Sequence, residues 1–368
     1  MGIGVMQALA VFPSQKKVDL LDIPEPTLQG ATDVLLRVHE VGLCGTDREI
    51  SSFEYGSPPP GSDHLILGHE SLAGVVEVGR EVRSLKPGDL VVVMVRRPCP
   101  HARCRACRAG RPDFCVTGDY TERGIKGADG FLTDYVVDDE AYLVKVPRAL
   151  AEVAVLVEPL TVVTKAADQA GAIFDRLHYD PGPQRGLVLG AGPIGLLGAM
   201  VLVADGFETV VYSRDSEESK QAELVRSLGA QYVSSTAHPI ASLAESWGTF
   251  DVVLEAVGFA PLMIAATQML KPNGILALTG VPHEAATAEL KVGRALRNLV
   301  LRNEVVFGTV NAGRRDHVSA IRHLEQFMAL FPESVRQLIT HRAPLGEVPQ
   351  MLTQKRGIKN VVEMSRAA

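Results

Sequence analysis

The second half of the chain alternates between apolar runs and helical segments, and a glycine-rich turn joins its first strand to its first helix. We expect that strand at 186–190 and the helix at 193–204, with Gly190-Ala-Gly192-Pro193-Ile194-Gly195 at the junction. The other expected elements of this part are strands at 209–213, 251–257, 274–278 and 304–310 and a helix at 216–228. Such alternation is typical of a parallel sheet covered by helices on both faces. The sequence therefore predicts an α/β chain with a doubly wound Rossmann domain.

The three glycines of the turn have the spacing of a dinucleotide site. Gly190 permits a tight turn, Gly192 allows the backbone to approach a pyrophosphate, and Gly195 allows the helix to pack closely on the sheet. Pro193 and Ile194 open the helix whose positive end would receive the phosphates. Glycine is common at strand–helix turns, but in this βαβ frame the spacing predicts a bound dinucleotide.

The end of the second strand indicates which dinucleotide is preferred. An NAD site usually presents an acid about twenty residues after the glycines. Here the strand ends in Ser213-Arg214-Asp215, so that a hydroxyl and a planar guanidinium are available for a 2′-phosphate. Arg214 would otherwise be a solvated surface arginine, and a small shift would bring Asp215 into the acid's place. We predict NADP as the preferred cofactor, with NAD possible.

A chain of 368 residues exceeds what one core usually serves, and two domains are expected. Short β-type runs at 33–38, 71–78 and 90–95 are separated by glycine and proline turns, which favours an antiparallel, barrel-like first domain. A helix is expected at 161–172, another at 318–330 and a last strand near 360–364, with this tail packed on the first domain. We therefore assign 1–160 and 311–368 to the first domain and 161–310 to the Rossmann domain.

Four of the five cysteines lie in one loop that is rich in arginine and glycine. Because nothing there would bury thiols in an apolar core, we predict a closed structural zinc site; an iron–sulfur cluster would accept the same donors. The four ligands would be Cys99, Cys104, Cys107 and Cys115.

The fifth cysteine stands in Cys44-Gly-Thr46-Asp47, ahead of Gly68-His69-Glu70. One thiolate, one imidazole and an acid would leave a coordination position free for chemistry. Spacing alone does not pair Cys44 with His69, since a lone histidine is more often hydrogen-bonded, and His64 and His101 compete.

Composition excludes several other classes of protein. The formal net charge of −6 gives no reason to expect nucleic acid or an anionic membrane as partner. No apolar run is long enough to span a bilayer, and the first residues lack the features of a secretory signal. An odd cysteine count argues against a disulfide scaffold, so we expect a reducing cytoplasm.

These motifs occur in the order found in zinc-dependent medium-chain alcohol dehydrogenases, and the chain resembles that superfamily over nearly its whole length. More narrowly it is similar to the glucose 1-dehydrogenase branch. The matching stretches are Val95-Arg-Arg-Pro98, Glu122-Arg-Gly-Ile125, Leu156-Val-Glu158-Pro-Leu160 and Gly308-Thr-Val-Asn311. The resemblance implies a GroES-like β-barrel catalytic domain beside the Rossmann domain.

The resemblance also implies a second, catalytic zinc held by Cys44, His69 and Glu158, with water as fourth ligand and Glu70 as an exchanging ligand. Asp47 would orient the His69 ring, although a turn-capping acid would look the same in sequence. Two features depart from the family pattern. Four residues rather than two separate Cys99 from Cys104, so that the loop must bulge or His101 must take part. Val95 stands where some relatives have an asparagine that touches the sugar.

The implied reaction is oxidation of the C1 hydroxyl of an aldose, D-glucose or D-galactose, to the aldonolactone, with hydride transfer to NADP or NAD. Thr46 would relay the proton, and Asn311 would contact the sugar or the nicotinamide. The expected substrate-binding residues are Thr46, Glu70, Glu122, Glu158 and Asn311.

Several alternatives stay open at this point. A polyol or threonine dehydrogenase would keep the same fold, and a non-catalytic nucleotide-binding redox sensor would belong to another class. The resemblance also implies a homodimer or homotetramer, since relatives often assemble through edge strands of the nucleotide domain, and the strands at 274–278 and 304–310 could serve.

Overall fold

The computed structural model describes residues 4–179, 182, 184–283, 286–287, 292–354 and 357–364. The chain divides into two compact units. The first unit comprises Met1–Glu158, Asn311–Leu324 and Ile339–Ala368, and the second comprises Pro159–Val310 and Glu325–Leu338. The second unit thus takes in the short segment 325–338, in addition to the stretch that carries the glycine turn.

The strands, in chain order, are β1 (Val5–Phe12), β2 (Lys17–Pro24), β3 (Asp33–Leu43), β4 (Leu65–Ile66), β5 (Glu70–Val78), β6 (Leu90–Val93), β7 (Arg96–Arg97), β8 (Thr121–Arg123), β9 (Gly127–Ala128), β10 (Tyr135–Asp139), β11 (Leu143–Val146), β12 (Arg185–Leu189), β13 (Glu208–Ser213), β14 (Gln231–Ser234), β15 (Phe250–Glu255), β16 (Leu270–Leu278), β17 (Val305–Gly308), β18 (Ile339–Pro344) and β19 (Lys359–Glu363). The α-helices are α1 (Gly45–Ser51), α2 (Arg105–Arg108), α3 (Val157–Phe174), α4 (Pro193–Ala204), α5 (Lys220–Ser227), α6 (Ile240–Trp247), α7 (Ala260–Ala266), α8 (Val292–Leu301), α9 (Arg314–Leu330), α10 (Pro332–Leu338) and α11 (Val348–Thr353).

The first unit is built on a mainly antiparallel sheet in the order β11-β6-β5-β3-β19-β18, with β10 also paired to β3. Alternate residues of these strands, such as Leu36, Val38, Val91 and Val93, are buried in one core, as expected for strands with one apolar face. Two smaller sheets, β2-β1-β4 and β7-β8-β9, complete the unit.

Register in this sheet brings three chain segments to one place. Gly42 at the end of β3 is paired with Glu70 at the start of β5, and Leu43 is paired with Asn360 of β19. Three of these paired residues have a sequence neighbour, at position 44, 69 or 359, that is brought to the same place. These three positions therefore lie close together although up to 315 positions separate them in sequence.

The second unit contains a parallel sheet in the order β14-β13-β12-β15-β16-β17. The chain runs outward from β12 to β14 and then returns to β15, so that the order reverses between β12 and β15. In open α/β sheets the crevice at the carboxyl ends of the strands at such a reversal is the usual ligand site. The predicted α/β class with a Rossmann-type parallel sheet is confirmed.

Three helix starts differ from the sequence expectation, and one of them is that of α9, which begins at Arg314 rather than at 318. Helix α3 begins at Val157 rather than at 161, so that Glu158 lies in its first turn. Helix α5 begins at Lys220 rather than at 216, because the Ser219 hydroxyl accepts a hydrogen bond from the Ala222 amide (3.2 Å) and caps the helix. Within the described residues, no helix combines the length and hydropathy needed to cross a membrane.

Candidate functional site

Cys44 caps the first helix of the chain. Its backbone is extended and its side chain lies at the N-cap of α1, where the thiol sulfur accepts a hydrogen bond from the Thr46 amide (3.2 Å). Asp47 completes a capping box because its Oδ2 accepts a hydrogen bond from the Cys44 amide (2.9 Å). The Cys44-Gly-Thr46-Asp47 motif therefore holds the thiol at the N-terminus of α1 through local hydrogen bonds.

His69 lies between the Cys44 thiol and the Asp47 carboxylate. Its Nε2 is 3.1 Å from Cys44 Sγ, and its Nδ1 is 3.4 Å from Asp47 Oδ1. Burial by itself would lower the pKa of His69, but the facing thiolate of Cys44 and the carboxylate of Asp47 outweigh burial and raise that pKa well above its ordinary value. Asp47 thus caps α1 and also lies against the imidazole, so that it is placed for both roles that the sequence left as alternatives.

Two further acids, Glu70 and Glu158, lie close to His69. Ligand atoms of His69, Glu70 and Glu158 all lie within 4.8 Å of one another, as do those of Cys44, Asp47 and His69. Burial raises the pKa of Glu158 to about 7, and the neighbouring Glu70 adds to this effect while His69 opposes it. His69 belongs to both groups, but no such group of described residues contains Cys44 and Glu158 together.

The donor chemistry of these residues fits a zinc ion. Thiolate, imidazole and carboxylate are the donors that zinc accepts in open sites. Burial raises the pKa of Glu158, and a nearby dication would lower it again by stabilising the ionised carboxylate. The competing histidines are engaged elsewhere: His64 contacts Asp63 and His101 contacts Asp119.

The four clustered cysteines also converge. Ligand atoms of Cys99, Cys104, Cys107 and Cys115 lie within 4.8 Å of one another, with Cys104 Sγ 3.9 Å from Cys115 Sγ. Burial raises the pKa of Cys107 to about 12, which would keep that thiol protonated unless a cation compensated its charge. The longer spacing between Cys99 and Cys104 is accommodated without His101 joining the group, and the set fits a closed tetrathiolate site.

Glu122 and Asn311, which the resemblance suggested as substrate-binding residues, lie together in the first unit. Asn311 Nδ2 donates a hydrogen bond to Glu122 Oε1 (2.8 Å), although 189 positions separate the two residues. Asn311 has a positive φ of 58°, and its Oδ1 accepts a hydrogen bond from the Ala312 amide (2.8 Å), which stabilises that backbone conformation. The two side chains form one hydrogen-bonded polar pair.

The glycine turn in the second unit has the geometry that its spacing predicted. Gly190 has a φ of +105°, which favours glycine, and Gly192 is the N-cap of α4 with Pro193 in the first turn. A Cβ at Gly195 would lie 2.0 Å from the Gly190 carbonyl oxygen, so that only glycine permits this approach of α4 to the strand end. Ile194 follows in the same turn, and the N-terminus of a helix is a common anion-binding position.

The end of β13 distinguishes Arg214 from Asp215. Ser213 Oγ donates a hydrogen bond to Asp215 Oδ2 (3.0 Å), which engages the acid. Arg214 is exposed, and it makes no ion pair or hydrogen bond with any residue of the described part of the chain. A free guanidinium beside an engaged carboxylate suits a phosphate better than a ribose hydroxyl.

Two basic residues of this region were missed by the sequence reasoning. Lys359, in the last strand, is fully buried; its Nζ contacts Glu70 Oε2 and donates a hydrogen bond to the Leu43 carbonyl oxygen (3.1 Å). Arg96 of β7 is buried against Glu122. A lysine that begins an apolar strand run was the available signal for Lys359, and the Val95-Arg-Arg-Pro98 stretch was the signal for Arg96.

Two protein-family models match this chain, one in each of its two parts. Residues 30–148 match the alcohol dehydrogenase GroES-like domain, which confirms the predicted type of the first domain. Residues 151–364 match the glucose dehydrogenase C-terminus model.

Individual relatives cover the full length of the chain. A glucose 1-dehydrogenase of Methanocella arvoryzae is 39% identical over 361 residues, which are 98% of this chain and 99% of that protein. A glucose 1-dehydrogenase of Caldivirga maquilingensis is 40% identical over 363 residues, with the same coverage. A solved structure of Haloferax mediterranei glucose dehydrogenase, in complex with NADP, Zn and gluconolactone, matches with a TM-score of 0.89 at 33% identity and covers 98% of this chain and 100% of its own. The chain therefore belongs to the glucose 1-dehydrogenase branch of the zinc-dependent medium-chain alcohol dehydrogenase superfamily.

Proposed function

We propose that this chain oxidises the C1 hydroxyl of an aldose, D-glucose or D-galactose, to the aldonolactone and transfers the hydride to NADP, with NAD as a poorer acceptor. The observation that carries the proposal is the convergence on His69 of the Cys44 thiol and of the Glu70 and Glu158 carboxylates. The full-length relatives support it, since they are glucose 1-dehydrogenases and one of them binds NADP, Zn and gluconolactone.

In this proposal Cys44, His69 and Glu158 hold the catalytic zinc, and Glu70 is a fourth, exchangeable donor. A zinc ion here would make a coordinated substrate hydroxyl more acidic, and a bound NADP would accept the hydride. Asp47 maintains the ring orientation of His69 through its contact with Nδ1. A second zinc, held by Cys99, Cys104, Cys107 and Cys115, stabilises the surrounding loop.

Thr46 is the proposed proton relay. Its amide donates a hydrogen bond to Cys44 Sγ. Its hydroxyl makes no hydrogen bond with a residue in the described ranges, and the side chain is half-buried. A hydroxyl in this state can accept a proton from the substrate and donate its own to solvent. Thr46 would therefore remove the C1 hydroxyl proton as the sugar is oxidised.

Sugar hydroxyls are bound in this proposal by Glu122, Asn311, Glu70 and Glu158. Polar substrates are discriminated when buried partners would otherwise be left unpaired, and the joined side chains of Glu122 and Asn311 provide such partners. Asn311 also has a second possible contact, the edge of the nicotinamide.

On the second unit, Gly190, Gly192 and Gly195 would receive the pyrophosphate, with Pro193 and Ile194 in the first turn of α4. Ser213 and Arg214 would bind the ribose and its 2′-phosphate. The support for NADP over NAD is the exposed guanidinium of Arg214 next to the engaged Asp215.

We also propose a homodimer, or a homotetramer built from such dimers, formed through β17. Among the described strands β17 is paired only with β16, and it ends the sheet. Val306 on β17 and Leu296 and Val300 on α8 are exposed apolar residues of the same unit, as expected for a surface that another copy covers. A cytoplasmic location is proposed because all five cysteines are free thiols, and the four clustered ones must stay reduced to bind metal.

The test is steady-state oxidation of glucose, galactose, xylose, sorbitol and threonine with NADP and with NAD, on protein whose zinc content has been measured. We expect activity with glucose or galactose, a preference for NADP and two zinc ions per chain. Activity confined to sorbitol or threonine would assign the chain to a different dehydrogenase of the superfamily. Binding of NADP without turnover of any substrate would indicate a redox sensor.

The zinc ligands are tested by Cys44→Ala and His69→Ala. Each should lower kcat on the order of a thousandfold, as expected when Lewis-acid stabilisation worth several kcal/mol is lost. NADP binding should change little, since the residues proposed for its pyrophosphate and 2′-phosphate lie on the second unit. His64→Ala is the matched control, because His64 contacts Asp63 and should be dispensable for turnover. Full activity of His69→Ala would refute the proposed catalytic zinc.

A further inference from the structure

Arg96 is a buried arginine whose contacts are concentrated on one carboxylate oxygen. Its side chain is 7% exposed and that of Glu122 is 5% exposed. Arg96 Nε donates to Glu122 Oε1 (3.0 Å), and Arg96 Nη2 lies 2.9 Å from the same oxygen. Asn311 Nδ2 donates to Oε1 as well (2.8 Å).

The second oxygen of Glu122 is left without these donors. An arginine fork commonly spans both oxygens of a carboxylate. Here Oε1 receives all three contacts, and Oε2 receives no hydrogen bond from any residue in the described part of the chain. The three contacts to Oε1 keep the Glu122 carboxylate from rotating. The lone pairs of Oε2 therefore stay available to accept a hydrogen bond from a ligand.

Arg96 is itself held on two sides. Its guanidinium lies 3.7 Å from the centroid of the Tyr120 ring, and its Nη1 donates to the Asp113 carbonyl oxygen (3.4 Å). Stacking and this hydrogen bond restrict the guanidinium to one plane. A restricted guanidinium can in turn hold the Glu122 carboxylate in one orientation.

Stability alone is a weak explanation for this arrangement. A buried ion pair often contributes no more stability than well-packed apolar residues of the same volume, because both charges lose their hydration. Orientation of a carboxylate toward a polar ligand is a benefit that apolar residues would not provide. The neighbouring pair Arg97–Asp138 shows that β7 carries a second arginine with similar packing, over the Tyr142 ring, but without contact to Glu122.

We propose that Arg96 is a positioning residue that orients Glu122 Oε2 to accept a hydrogen bond from a hydroxyl of the sugar, and so contributes to selection of polyhydroxylated substrates. This inference rests on the proposed function, because it assigns a device for substrate recognition to the same site. The chemical class it selects is one with a hydroxyl donor away from the oxidised carbon; a simple monohydroxy alcohol lacks that donor.

The experiment compares Arg96→Met with wild-type holoenzyme, with Arg97→Met as the matched control. Arg96→Met should raise the KM for glucose on the order of tenfold or more, as expected when a substrate-positioning group loses its orientation. The kcat should change less than twofold, and the KM for NADP should not change. Arg97→Met should lower thermal stability without raising the KM for glucose. Arg96→Lys, which restores a charge but not the fork, should give an intermediate KM.

A substrate series supplies a readout that a purely structural role would not alter. Among 2-, 3-, 4- and 6-deoxyglucose, the wild-type enzyme should lose kcat/KM strongly with the sugar that lacks the contacted hydroxyl. Glu122→Gln and Arg96→Met should each reduce that loss, and the double variant should resemble Glu122→Gln alone, because both changes remove one interaction.

The outcomes separate the two proposals. If the wild-type enzyme oxidises no aldose, the proposed function fails and this inference fails with it. If the wild-type enzyme is active and Arg96→Met matches it in KM and in the deoxyglucose series, the inference alone is refuted. Should Arg96→Met not fold, Arg96→Lys decides: a wild-type KM and deoxyglucose profile would refute the role.

Discussion

Lys359 shows how one buried side chain links the metal-binding candidates to the sheet. It begins β19, its Nζ contacts Glu70 Oε2, and it donates a hydrogen bond to the carbonyl of Leu43, the residue before Cys44. Gly42 makes room for this arrangement, since a Cβ there would lie 2.1 Å from Glu70 Oε2. One ammonium group therefore stabilises both the acid of the site and the strand end that carries the thiol.

We expect Lys359→Met to destabilise the protein by about 3–5 kcal/mol, because it leaves the buried Glu70 carboxylate without its partner. Urea denaturation gives the free energy of unfolding. Lys145→Met is the matched control: Lys145 is half-exposed in its pair with Asp89 (2.8 Å), and its loss should cost less than about 1 kcal/mol. A Glu70→Gln/Lys359→Met variant should regain part of the stability, and equal losses for Lys359→Met and Lys145→Met would contradict the buried pair.

The cofactor preference is tested at a single residue. Arg214→Ala should raise the KM for NADP roughly 10- to 100-fold, as expected for loss of a charge-assisted contact worth about 1.5–3 kcal/mol. The KM for NAD should change little, because NAD has no 2′-phosphate. Arg226→Ala is a useful control, since Arg226 contacts Glu217 in the same unit and is not assigned to the cofactor. The same loss with both cofactors would refute the assignment.

At the scale of elements, short local patterns determine where several helices begin. The capping box of Cys44 and Asp47 starts α1, Gly192 and Pro193 start α4, and Ser219 starts α5. Helix α4 has the bounds that the sequence predicted. Helix α5 does not, because the residue that caps it is Ser219, and which residue caps a helix depends on its backbone conformation.

Helix α9 contains a histidine that should make stability depend on pH. His317 is fully buried; its Nδ1–H donates to the Gly313 carbonyl oxygen (3.0 Å), and its Nε2 has no hydrogen-bond partner among the described residues. Burial lowers the pKa of His317, so that the folded protein keeps it neutral at a pH where the unfolded chain binds a proton. This contribution to stability is complete above about pH 6.5, the unfolded value, and is lost as the pH falls below it.

The measurement is the free energy of unfolding from pH 8 to pH 5 for wild type and His317→Asn, which retains a donor for Gly313. Below pH 6.5 the wild type should lose stability more steeply than the variant, by up to about 1.4 kcal/mol per pH unit. Other groups titrate in both proteins and cancel in the difference. Parallel curves would show that His317 does not contribute.

At the scale of the whole molecule, the open edge of the parallel sheet determines the expected assembly. Val306→Lys on β17 should convert the proposed dimer to a smaller species in sedimentation velocity, because a charge on an edge strand opposes pairing with a second copy. Val76→Lys is the matched control, an exposed valine of β5 in the first unit. A wild-type protein that sediments as a monomer would contradict the proposal.

The sequence by itself determined the features that depend on neighbours along the chain. Glycine spacing predicted the turn at Gly190 because positive φ and close approach are properties of single residues. The four cysteines of one loop could be grouped for the same reason, and alternation of strands and helices predicted the parallel sheet. Family resemblance then suggested candidate zinc ligands from separate segments, which spacing alone left open.

Only the tertiary structure brought distant residues together. The pairing of β3 with β5 and β19 places Cys44, His69 and Lys359 side by side, and Glu122 meets both Arg96 and Asn311 across up to 189 positions. No local pattern encodes such contacts, since they depend on strand register and on which charges must be paired once buried. The tertiary structure therefore decided which polar side chains share the candidate site, and which oxygen of Glu122 receives the three contacts.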